Sequence, residues 1–207
     1  ILRTFSEGKA DILLGTQMVA KGLDFSRVTL VGVISADTQM LLPDFRSAER
    51  TFQLLTQVAG RAGRSKLAGE VVIQTCQPRH YALRHVLAHD FLAFYREEMA
   101  VRRELRYPPF SRLVLIEFRA VSEQAVIKEA NAFARRMKAE PHWTMLGPAS
   151  AAIPKLKGSF RWHILLKNFK ETDPAGQRLH AAIRGALQPW KGGAVRVVID
   201  VDPVGMM

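Results

Sequence analysis

Gln57, Arg61 and Arg64 follow one another at steps of four and three residues. On a helix that runs on past Gly60, this spacing aims an amide and two guanidinium forks to one side. Such a point suits a phosphate. On another face of the same stretch, Phe45, Ala48, Phe52, Leu55, Val58 and Ala59 recur at helical steps, so a buried apolar stripe is predicted. Gly60 and Gly63 each cost about 1 kcal/mol relative to alanine inside a helix, which implies close backbone approach or a helix end beside the arginines. The plainer alternative, on arginine count alone, is a solvated cationic face closed by a glycine cap.

Other residues of chemical interest fall outside that helix. The segment GTQMVAKGLDF from Gly15 to Phe25 holds glycine, lysine and threonine, but Lys21 precedes Gly22, the wrong order for a triphosphate-cradling loop. Its Thr16, Gln17, Lys21 and Asp24 are then either an ordinary surface connection or a set of ligand contacts. Asp37 ends a predicted strand, at the carboxyl edge where α/β sheets gather their sites, or it only caps a loop. His85 and His89 stand four apart, a spacing that can hold zinc, but no carboxylate of the HExxH type accompanies them, so no metal site and two solvated histidines are expected. In PKLKGSFRW, from Pro154 to Trp162, Lys155, Lys157 and Arg161 interleave with Phe160 and Trp162 around Gly158. The stretch reads as a hairpin tip with phosphate-contacting charge and stacking surfaces, or as a soluble turn whose aromatics face the core.

These groups need a scaffold, and 207 residues with 48% apolar content can build one large or two small domains with a real core. A short helix at Ile1–Gly8, strands at 11–14, 28–34 and 69–75, and the arginine helix predict a parallel α/β layer of at least three strands. Residues 81–105 carry a broken apolar helical stripe that includes Phe91, Phe94, Tyr95, Met99 and Leu105, read as core and docking contacts. Tyr107-Pro108-Pro109 marks a boundary. Beyond it the predicted order is a strand at 113–118, a helix at 122–138 capped by Ser122, a short strand within 145–153, a strand at 161–167, a helix at 174–187 and a strand at 195–201. That β-α-β-β-α-β order predicts a ferredoxin-like α+β sandwich. Expected domains are 1–80, an α/β lobe; 81–109, a helical connector; and 110–207, an α+β domain.

Net charge +11 favours an anionic partner. The first 109 residues hold 15 Lys/Arg against 11 Asp/Glu and the rest hold 15 against 8, so the excess is spread over both halves. Cys76 is the only cysteine, which leaves no internal disulfide and no thiolate zinc site in these residues and fits a reducing cytoplasm. No run of 18 apolar residues and no signal-peptide pattern is found, so no membrane partner is expected. The chain opens on Ile1 in mid-pattern and is expected to be a piece of a longer protein.

QVAGRAGR resembles motif VI of superfamily 2 helicases, and TQMVAKGLDF upstream of it is similar to motif V. Taken with PDFRSAERTFQLL, RYPPF and the closing IDVDP, the chain resembles the primosomal protein N′ (PriA) family of bacterial replication-restart DNA helicases over most of its length. The resemblance implies a RecA-like second helicase lobe followed by the smaller α+β domain. Arg64 would be the arginine finger and Arg61 a second phosphate contact, with Gln57, Gly22 and Asp24 at the nucleotide and Thr16 and Gln17 on the DNA backbone. A finger of this kind is worth about 10³ to 10⁵ in rate. Further implications are ATP-driven 3′ to 5′ translocation, binding of single-stranded and forked DNA, and recognition of stalled or repaired forks. Single-stranded-DNA-binding protein and other primosome proteins are the implied partners, in a bacterial cytoplasm and associated with the nucleoid. ATP and Mg²⁺ would be held with a first lobe, because the Walker A lysine and the acidic Mg²⁺ motif are absent from these residues. The family's zinc-binding cysteines are absent too, and zinc is expected elsewhere in the parent protein. Competing expectations are another superfamily 2 branch-migration or repair translocase, a motor-free DNA-binding scaffold for helicase loading, and a basic RNA-binding or ribosome-associated protein.

Overall fold

A computed structural model describes residues 1–16, 28–60, 69–190 and 192–206. The chain divides into two compact units, Ile1–Glu98 and Met99–Met207.

The first unit runs α1 (Leu2–Ser6), β1 (Leu30–Val33), α2 (Asp37–Met40), α3 (Ser47–Ala59), β2 (Glu70–Ile73), α4 (Tyr81–Leu87) and α5 (Phe91–Glu104), whose last residues belong to the second unit. β1 and β2 pair in parallel, Val31 beside Val71 and Val33 beside Ile73, with α2 and α3 in the connection between them. Val33 and Ile73 pack against a core of Ala36, Met40, Phe52, Leu55, Ala82, Leu83, Val86 and Phe94. Phe52 and Phe94 stack face to face with ring centroids 4.1 Å apart, joining α3 to α5. The strand expected over 11–14 forms no ladder among the described residues. Ile12 and Leu14 are 86% and 79% exposed, with no strand beside them among the described residues. Two strands, rather than at least three, are therefore found in this layer among the described residues.

The second unit continues β3 (Ser111–Ala120), α6 (Glu123–Arg136), β4 (Trp143–Leu156), β5 (Ser159–Phe169), α7 (Gln177–Leu187) and β6 (Arg196–Val201). The sheet order is β4-β5-β3-β6 with every neighbouring pair antiparallel, the ferredoxin-like arrangement predicted from the element order. Helical spacing gives α6 the stripe Val126, Ala130 and Phe133 and gives α7 Leu179, Ile183 and Ala186. Both stripes close on Val114, Ile116 and Phe118 of β3 and Ile164 and Leu166 of β5. Each large side chain so buried contributes about 1.5–3 kcal/mol. Ser122 caps α6 by accepting from the Ala125 N–H at 3.3 Å. Buried Asp173 prepares the start of α7, accepting from the Leu179 N–H at 3.1 Å and the Arg178 N–H at 3.4 Å.

Candidate functional site

α3 is fixed at its entrance by a residue that periodicity does not single out. Asp44, whose side chain is fully buried, accepts from the Arg46 N–H at 2.9 Å and from the Arg50 guanidinium at 3.0 Å. Ser47 donates to the Leu42 carbonyl at 2.8 Å. Of the predicted stripe, Phe52, Leu55 and Val58 are buried and Ala48 and Ala59 partly so. Phe45 lies before the helix with the Arg46 guanidinium 4.4 Å from its ring centre. Gln57 is exposed, where the sequence pattern puts it. The helix ends at Ala59 with Gly60 as its cap, and the Gly60 N–H reaches the Thr56 carbonyl at 3.1 Å. A methyl group on Gly60 would lie 3.6 Å from the Thr56 oxygen and 3.7 Å from that of Gln57, with φ at −70°, so nothing described here demands a glycine. Arg61, Gly63 and Arg64 lie outside the described residues, as do Gln17, Lys21, Gly22 and Asp24 of the upstream segment. Thr16 is described and exposed.

At the carboxyl ends of β1 and β2, Asp37 accepts from the Thr75 hydroxyl and from the Cys76 N–H, both at 2.9 Å. Both carboxylate oxygens serve to latch the two strand ends together. His85, expected to be solvated, is instead largely covered, its Nε2 2.7 Å from Glu97, with Arg84 on the same carboxylate at 2.9 Å. His89 is exposed, and no group of three metal-capable side chains forms among the described residues. Neither is any described helix long and apolar enough to cross a membrane.

The segment Pro154–Trp162 does form a hairpin tip. β4 and β5 are joined through Lys157 and Gly158, both with positive φ (49° and 81°), which explains the glycine. Lys155 and Lys157 are exposed, and the Lys155 ammonium sits 4.8 Å from the centre of the Phe160 ring. The other three residues turn inward. Phe160 and Trp162 are partly buried against the core on the helix side of the sheet, which leaves each ring only part of its surface for stacking. Arg161, expected to face a phosphate, is 5% exposed and donates to Glu117 at 2.6 Å.

Glu117 is the residue that sequence reading missed. On β3 it accepts from Arg119, Arg161 and, at 2.9 Å, the His163 ring. Burial by itself raises its pKa, but the hydrogen bonds from His163, Arg119 and Arg161 outweigh that and hold the carboxyl below its ordinary range. The alternation LVLIEF places a charged residue on the face opposite Ile116 and Phe118, which is the one signal available for it. Lys167 lies on the same strand face as Arg161. Its ammonium lies 3.5 Å from the Tyr107 ring centre and donates to the Leu105 carbonyl at 2.9 Å, and burial pushes its pKa down.

A parallel α/β layer with two strands among the described residues, followed by a ferredoxin-like domain, is the arrangement expected of a helicase second lobe with an accessory α+β domain. Residues 1–66 match the helicase conserved C-terminal domain, and residues 103–204 match the primosomal protein N C-terminal domain. The chain belongs to the primosomal protein N′ family. It is 46% identical over 213 residues to the replication restart protein PriA of Bacillus subtilis, a match covering all of this chain and 26% of that protein. Against the PriA of Chlamydia trachomatis it is 40% identical over 206 residues, covering 99% and 27%. Against that of Synechocystis it is 43% identical over 169 residues, covering 81% and 20%. The chain thus spans about a quarter of the length of the first two relatives.

Proposed function

We propose that these residues form the nucleotide-responsive second lobe and a DNA-contacting terminal domain of an ATP-dependent replication-restart helicase. The observation that carries this reading is the family match across both units, with Gln57 on the solvent side of a helix that stops just before Arg61. Arg64, with Arg61 beside it, reaches the γ-phosphate that a first lobe holds together with Mg²⁺, and stabilises the charge that develops there during phosphoryl transfer. Gly22 and Asp24 attend the nucleotide, and Thr16 and Gln17 the DNA backbone. Lys155 and Lys157 extend the DNA contact to the hairpin tip. The motor moves 3′ to 5′ on DNA, acts at stalled or repaired forks, and meets single-stranded-DNA-binding protein and other primosome proteins in the bacterial cytoplasm at the nucleoid. Zinc belongs to a part of the parent outside these residues.

Replacing Arg61 or Arg64 by alanine in the full-length protein tests this. The expected result is a fall of about 10³ or more in DNA-stimulated ATP turnover with DNA affinity retained. Turnover unchanged by both replacements would favour a motor-free scaffold for helicase loading.

A further inference from the structure

The register of the second sheet sets three arginines abreast. Arg161 on β5 stands opposite Arg119 on β3, and Arg119 stands opposite Arg196 on β6. Their sequence neighbours Trp162, Phe118 and Val197 all pack into the helix-side core, so alternation puts the three arginines together on the side away from α6 and α7. Like charges placed directly opposite on neighbouring strands repel. Glu117 answers Arg161 and Arg119, and no carboxylate among the described residues pairs with Arg196. Three guanidinium groups against one carboxylate leave a surplus of positive charge.

The three differ in access. Arg161 is locked inside by Glu117, while Arg119 keeps 39% of its side chain exposed, and Arg196 is exposed with no side-chain partner among the described residues. Strands about 4.8 Å apart place the outer two positions of this row about 10 Å from each other. The rings nearest in sequence, Phe160 and Trp162, face the core on the other side. A cationic platform without aromatic rings can draw affinity from phosphates by counterion release, but it has nothing on which to stack unpaired bases.

We infer that the end of the sheet face around Arg196 and Arg119, on the side away from α6 and α7, binds the sugar–phosphate backbone of duplex DNA, with Glu117 and Arg161 as a positioning pair beneath it. This rests on the DNA-binding reading of the terminal domain, and it adds a surface and a preference that the hairpin tip does not supply. A duplex presents closely spaced phosphates with its bases hidden, which matches a platform of charge alone. The single strand's advantage, an accessible base face, has no counterpart here.

Binding of the full chain to a labelled duplex and to a single strand of equal length, measured between about 50 and 200 mM salt, decides the matter. Four variants accompany the wild type: Arg196→Glu, Arg196→Ala, Lys157→Glu at the hairpin tip, and Arg135→Glu on exposed α6 as a charge-matched control. The Arg196 variants should lose more affinity for the duplex than for the single strand. Arg196→Glu should lower duplex affinity about tenfold and reduce the steepness of the salt dependence by about one, with Arg196→Ala giving about threefold. Arg135→Glu should stay within about twofold. Equal losses from Arg135→Glu and Arg196→Glu would mean a diffuse field and no site, and a loss from Arg196→Glu that is as large on the single strand as on the duplex would remove the duplex platform. If Lys157→Glu weakens binding while both Arg196 variants do not, the tip reading stands and the platform falls; if none weakens it, both fall. Unfolding midpoints identify any variant that fails to fold, and the milder Arg196→Ala then carries the comparison.

Discussion

Glu117 satisfies Arg119, Arg161 and His163 with one carboxylate, and Arg161 is as buried as Glu117 itself. Removing the charge strands a guanidinium in a poorly solvated place, which costs about 3–5 kcal/mol when one partner of a buried pair is lost. Glu117→Gln should therefore lower the unfolding midpoint of the terminal domain markedly, while Arg135→Ala on an exposed helix face should not. The pH dependence follows from the direction of the shift. Because the folded carboxyl titrates below its unfolded value, its contribution is complete above the ordinary glutamate range and is lost as pH falls through the lower folded value. Asp173, raised by burial but lowered further by hydrogen bonds from Leu179, Asn168, Arg178 and Gln177, behaves in the same sense. Acid unfolding curves of Glu117→Gln and Asp173→Asn should each be flatter than wild type below about pH 4, and a wild-type slope in both variants would show that other groups govern acid stability. Arg161 was misread from sequence because its partner lies 44 residues away on another strand. Nothing local to FRWH announces that carboxylate.

At the scale of elements, α3 was legible because its apolar residues repeat at helical steps, whereas its boundaries were set by contacts that periodicity ignores. Asp44 holds the entrance, and Asp44→Ala should cost about 1–3 kcal/mol by unpairing the Arg46 N–H and freeing Arg50; an unchanged thermal midpoint would show that the entrance holds without it. Gly60 makes a sharper case. Its φ and the room for a methyl group allow alanine, so Gly60→Ala should leave stability unchanged or raise it by up to about 1 kcal/mol. If DNA-stimulated ATP turnover in the full-length protein nevertheless collapses, the glycine serves close approach by the nucleotide or the opposing lobe, as its position beside Arg61 implies. β4 shows the opposite failure of legibility. The sequence predicts only a short strand within 145–153, yet Trp143–Leu156 is one long strand that runs through Gly147, Pro148 and Pro154, residues that ordinarily weaken or break a strand. Register shifts between Leu146 and Ala149 and between Ser150 and Lys155 absorb those residues at the sheet edge, where a missing N–H costs no ladder bond. The apolar run alone predicts a strand over 11–14, and a run cannot report which strand it would pair with.

For the whole molecule, the two activities implied by the family separate by where their parts reside. Phosphoryl transfer needs a loop that cradles the triphosphate, and no Gly-Lys-Ser/Thr order occurs in these 207 residues. The chain by itself should show no ATP hydrolysis above background, and robust turnover would overturn the assignment of Arg61 and Arg64 to a cleft shared with another lobe. DNA binding, by contrast, needs only charge and shape, and a chain of net charge +11 carries the charge within itself. Affinity should therefore survive without nucleotide but fall steeply with salt, by about 10³ between 50 and 200 mM if six or so phosphates are neutralised. The slope also counts the contacts. A value near one or two would restrict contact to the hairpin lysines, a steeper one requires the sheet face or the first unit as well, and affinity indifferent to salt would remove the electrostatic basis for any of them.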